Sequence, residues 1–180
     1  MTADDPVVPD AEHTAVHEAG HAVLQLVMGI GLRSVTIVPD FDEMTAGHAL
    51  HYGESPDEGS DAEALLTSAE DAYYLRHTIA YYAGAEAVRQ IRPQDDADAC
   101  AGSDNRNAED AVGRITDDAE SLDLYFALAK RRCKLMVEHY RPEIQAVAVA
   151  LLSRNTLLRE DVRQIVMTSL KARCGGLWSW

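Results

Sequence analysis

The chain has 180 residues, 47% of them hydrophobic, which is enough for one domain with a buried core. Its net charge of −14, from 30 acidic against 16 basic residues, excludes a phosphate-binding surface, so no nucleic-acid partner is expected. The three cysteines, Cys100, Cys133 and Cys174, lack any C-x-x-C spacing; this excludes a disulfide framework or a thiolate zinc site and points to a reducing, cytoplasmic setting.

The first ten residues are acidic and carry Pro6 and Pro9, unlike a signal peptide, and no apolar run approaches the length needed to span a bilayer. Asp10 is suited to cap a helix. The apolar stripe Val16, Ala19, Val23, Leu26 and Ile30 follows helical spacing until Gly29 and Gly31 end the segment. This helix carries His17-Glu18-Ala19-Gly20-His21. Residues four apart share a helical face, so both imidazoles can reach one ion, and three protein ligands would leave a fourth zinc position open for water. Glu18 points about 100° away from His17, outside the ligand set but near enough to act as general base toward such a water. On a helical wheel both histidines fall at the border of the apolar arc, which predicts ligands that are held and yet reached by solvent. Gly20 costs about 1 kcal/mol relative to Ala inside a helix, which implies that another backbone approaches there.

Residues 33–38 read as a strand rich in β-branched side chains, followed by a polar turn over 39–45 and a second short strand near 47–52. An acidic loop over 53–59 leads to the capping-box sequence Ser60-Asp61-Ala62-Glu63. The long helical pattern that follows ends near Ile91, before Pro93, with a second possible start at Thr67. Within it Gly84 and Ala87 form a small-residue face suited to the helix that carries Gly20. Residues 94–105 have loop composition. Helical patterns resume over 108–122, 123–139, 142–154 and 159–173, and the last stops at Gly175-Gly176 before an apolar tail with Trp178 and Trp180, expected to pack back onto the helices. The fold class is mainly α with a small β-hairpin or sheet.

Several segments, in order, resemble the peptidase domain of the FtsH family of zinc proteases. They are residues 15–23 around the two histidines, 34–39 (Ser-Val-Thr-Ile-Val-Pro), 46–49 (Ala-Gly-His-Ala), 79–87 (Ile-Ala-Tyr-Tyr-Ala-Gly-Ala-Glu-Ala), and Thr156-Leu157-Leu158 before the last helix. The first is specific and the others are individually weak; together they span roughly residues 12 to 170. The resemblance implies a single FtsH-like domain over 1–180. Residues 10–106 would hold the metal helix, the β element and the long helix, and residues 107–180 a helical C-terminal part. It also implies Zn²⁺ held by His17, His21 and an aspartate from a later helix start, with Glu18 as base. Asp104 with Ala108 fits the spacing of that aspartate. An alignment on Ala111 puts Asn107 there instead, and Asp98, Glu109 and Asp110 are further candidates. A neutral amide is a poor zinc ligand, so the chemistry favours Asp104.

The chain contains no G-x-x-x-x-G-K-[ST] phosphate loop and so lacks the ATPase module of that family. It also carries Val88 and Arg89 where the family tends to have carboxylates, which bears on any inherited ring contacts. The expected activity is zinc-dependent endopeptidase action on flexible or unfolded protein, alone, as a homo-oligomer, or with a separate ATPase partner. His48 and His51, on the second strand, read first as solvated strand histidines, although they could assist by hydrogen-bonding substrate or oxyanion. The alternatives are a non-catalytic zinc-binding module that retains the fold and a regulatory factor that cleaves one partner.

Overall fold

A computed structural model describes residues 10–39, 47–51 and 66–175. The expected loop at 53–59, the capping box at 60–63 and the tryptophan tail lie outside the described residues. Helix α1 (Ala11–Val27) starts as its sequence predicts, with the Asp10 side chain accepting from the His13 backbone N–H at 2.6 Å. Its burial is broader than an amphipathic stripe implies, because every residue from His13 to Gln25 is buried. The helix is a central rod, packed against α3 (Ala83–Ile91), α6 (Arg141–Arg154) and strand β1 (Leu32–Thr36). His17 and His21 therefore lie inside the protein rather than at a rim.

The expected hairpin is one side of a three-stranded antiparallel sheet ordered β2-β1-β3, with β2 at His48–His51 and β3 at Thr156–Leu158. Val35 pairs with Ala49 on one side and Leu157 on the other, and both Val35 and Leu157 are fully buried. Strand β3 is absent from the sequence reading. Asn155 takes a positive φ of 64° at the end of α6 and turns the chain straight into the sheet, a conformation Asn tolerates better than most residues.

The described part of the long pattern before Pro93 is two helices, α2 (Leu66–Tyr81) and α3, broken at Tyr82; the possible start at Thr67 adjoins residues outside the described ones. The carbonyl of Ala80, which an unbroken helix would give to Gly84, accepts a hydrogen bond from His21 Nδ1 at 2.8 Å. Beyond the break α3 lies close on α1, as the two small-residue positions predict. A Cβ on Gly20 would stand 2.6 Å from the Ala83 carbonyl oxygen and 2.8 Å from the Ala87 Cβ. Helix α4 (Gly102–Gly113) begins about six residues earlier than its apolar pattern and stops before α5 (Ala119–His139), which Asp118 caps by accepting from the Ser121 N–H. Helix α7 runs Arg159–Arg173, as predicted, and Gly175 just beyond it has a positive φ of 63°.

Leu24, Leu32, Ile144, Leu151 and Leu157 are the largest fully buried apolar side chains, each worth roughly 1.5–3 kcal/mol of transfer free energy. They tie α1, α6 and the sheet into one core, which fixes the face of α1 that carries the histidines. No helix among the described residues is long and apolar enough to cross a membrane. Cys133 is buried in the core, and all three cysteines are free thiols.

Candidate metal centre

Three side chains from two elements converge beside α3. His17 Nε2 and His21 Nε2 lie 3.0 Å apart, and each is 3.1 Å from Asp104 Oδ2. The i,i+4 spacing on α1 brings the two rings together, and the first turn of α4 carries the carboxylate to them. Asp104 thus lies inside a helix rather than in a preceding loop, where the positive end of the helix dipole favours its charge. Both histidines are buried and Asp104 is half-buried, so the solvent side of the cluster is the Asp104 side.

The tautomers make this a donor set for a cation. His21 Nδ1 donates to the Ala80 carbonyl, which leaves the lone pair of a neutral His21 on Nε2, aimed at the other two atoms. The Asp104 carboxyl, although burial alone would raise it, is held well below the usual carboxylate range by His21 and His17 and stays anionic. Three electron-rich atoms within 3.1 Å of one another repel unless a proton or a metal ion sits among them. Without a metal, a proton does so. Burial opposes charge on His21, but Asp104 overcomes it and lifts that imidazole to about 9, whereas burial wins at His17 and lowers it. Donors roughly 2.0–2.1 Å from a tetrahedral zinc stand about 3.4 Å apart, so the observed triangle needs only a small expansion to accept the ion. The His17/His21/Asp104 group could hold a metal ion, and it is the one His/Cys/Asp/Glu group of metal-binding geometry among the described residues.

Gly84 belongs to this site, a role beyond the helix approach that its sequence position suggests. A Cβ there would stand 2.5 Å from the Nε2 atoms of both histidines, in the space the converging donors need. The other sequence candidates are elsewhere. Asn107, Glu109 and Asp110 are exposed on α4, and Asp98 is held by Arg89 at 3.0 Å. His48 is half-buried on β2 and does not join the cluster, while of His51 only the backbone is described. Val88 is fully buried against the core, and Arg89 pairs with Glu86 as well as Asp98.

Glu18 is buried next to the cluster without joining it, and its Oε2 has no partner among the described residues. Burial pushes its carboxyl up to about 7, with His21 and Asp104 pulling in opposite directions. Gly47, just before strand β2, packs on its stem, since a Cβ there would meet the Glu18 Cγ at 3.1 Å and the Thr36 carbonyl at 2.7 Å. The raised value has a stability consequence with a definite sign. A carboxyl whose folded pKa is about 7 against an ordinary 4.5 favours the fold below pH 4.5, and that contribution is lost as pH rises through 7. In metal-free protein the wild type should lose about 1.4 kcal/mol per pH unit across this window relative to Glu18→Gln. Denaturant unfolding of both proteins in chelator at pH 5 and pH 8 checks this; an equal stability difference at the two pH values would contradict it.

No protein-family model matches the chain, and no curated protein is recognisably similar to it.

Proposed function

We propose that this chain is a zinc-dependent endopeptidase acting on flexible or unfolded protein, built like an FtsH-family peptidase domain. The observation that carries the reading is the pairing of two chemistries at one place. A three-donor cluster suits a borderline-soft dication, and beside it lies a buried carboxylate that is neither a ligand nor hydrogen-bonded through Oε2. A purely structural zinc site would use a fourth protein ligand and would have no need of such a carboxylate.

In this reading His17, His21 and Asp104 hold the ion, which when bound would acidify a water and polarise the scissile carbonyl. Glu18, whose carboxyl burial holds near 7, would accept a proton from the attacking water and later give it to the departing amine. Strand β2 has one side unpaired among the described strands, and Gly47 just before it packs on Glu18, so an extended peptide could add to the strand through main-chain hydrogen bonds. The absence of a phosphate loop from the chain confines unaided action to substrates already unfolded, unless a separate ATPase or a ring of copies supplies them. The three free thiols fit a reducing compartment.

The test is hydrolysis of casein by purified, zinc-loaded chain. Cleavage should cease with 1,10-phenanthroline, return on adding zinc, and be unchanged by ATP. Stoichiometric zinc without any cleavage would favour the non-catalytic alternative, and acceleration by ATP would reveal a nucleotide site that the sequence does not show.

A further inference from the structure

His21 and His17 differ in how their outer nitrogens are held. His21 Nδ1 has the Ala80 carbonyl as its acceptor, whereas His17 Nδ1 is buried with no partner among the described residues. If His17 gives Nε2 to a metal, its Nδ1 must carry the proton, and a buried N–H then needs an acceptor.

One turn earlier on α1 lies a third histidine with the complementary need. His13 is buried, its backbone fixed by the Asp10 cap, and its Nδ1 faces Asp95 Oδ2 at 3.4 Å. Arg92 pairs with the same Asp95 oxygen and also with Asp10 at 3.0 Å and with Glu12, so the carboxylate is held in place as an acceptor. His13 Nδ1 is then the donor, which in the neutral ring leaves a lone pair on Nε2, and that atom too is buried with no partner among the described residues. The rings of His13 and His17 are nearly parallel, at 13°, with centroids 6.5 Å apart. That separation is too long for a direct hydrogen bond between the two rings, which leaves a bridging water as the link that would satisfy both orphaned atoms.

We propose that Asp95 and His13 form the outer shell of the metal ligand His17, with His13 Nε2 accepting the His17 Nδ1 proton through one buried water. His13 is thereby a positioning residue, doing for His17 what the Ala80 carbonyl does for His21. The sequence signal is the spacing His13, His17, His21, which puts three imidazoles on one helical face. The inference rests on the zinc reading of the site and adds to it the residues that orient one ligand.

The test measures zinc affinity by competition with a chromophoric chelator for wild type, His13→Ala, His13→Gln and His17→Ala. Loss of such an outer partner should weaken zinc about 10–100-fold in His13→Ala, and His13→Gln, whose amide oxygen can accept in place of Nε2, should recover most of it. Unchanged affinity in His13→Ala alongside its loss in His17→Ala would overturn the inference and leave the zinc reading standing. A wild type that takes up no zinc would remove both. Nitrogen NMR of the histidines in the zinc-loaded wild type gives a reading independent of any variant's folding. His13 should carry its proton on Nδ1 with Nε2 bare, and His17 should show an exchange-protected Nδ1–H. A proton on His13 Nε2 would overturn the proposal.

Discussion

Glu18→Gln should leave one zinc per chain in place and lower casein hydrolysis by about 10²–10⁴-fold, the usual worth of a positioned general base. The physical case rests on where the carboxylate sits. It is buried beside the donor cluster, contributes no atom to it, and burial keeps its carboxyl near 7, close to the pH at which it would exchange protons. Glutamine keeps the shape and the packing against Gly47 but cannot accept the water proton. The same exchange also relieves the cost of a buried carboxylate, so a variant that is inactive, zinc-loaded and, without metal, more stable above pH 7 would show that this position trades stability for chemistry. Equal hydrolysis by the two proteins would remove Glu18 from the mechanism.

The second large effect concerns the third ligand. Asp104→Ala should weaken zinc binding by at least tenfold and silence activity, whereas Asn107→Ala should leave affinity nearly unchanged. Asp104 Oδ2 is 3.1 Å from both imidazole nitrogens, while Asn107, one turn further along α4, is exposed. An anionic oxygen balances part of the dication's charge, and an amide does so only weakly. Metal retained in Asp104→Ala and lost in Asn107→Ala would mean that α4 meets the site in a register shifted by three residues.

How much of this was legible in the sequence depended on whether the signal was local. Helix α1 was, because Asp10 caps it and the two histidines recur at helical spacing; so was the contact of Gly20 with α3, since a glycine inside a helix has few other reasons to be there. The full burial of α1 was not, because periodicity within one helix does not say how many neighbours surround it. The break at Tyr82 follows from the His21 hydrogen bond to Ala80, 59 residues away in sequence, which no window of α2 contains. Strand β3 is three residues long and exists because β1 pairs with it, with Thr36 opposite Thr156; Asn155 was its only local mark. The start of α4 has no local signal because its first turn, Gly102-Ser103-Asp104, is polar and has no side-chain cap, and tertiary packing overrides that weak propensity. The chemistry of Asp104 was readable from the residue types, while its convergence with α1 is a property of the fold.

Zinc titration of the purified, metal-free wild-type chain, followed by X-ray absorption at the zinc edge, reads out both the metal and its ligand set. One equivalent should enter a shell containing two imidazole nitrogens and carboxylate oxygen at roughly 2.0–2.1 Å, with uptake lost in His17→Ala and His21→Ala. No stoichiometric uptake, or a zinc shell dominated by sulfur, would contradict the zinc reading.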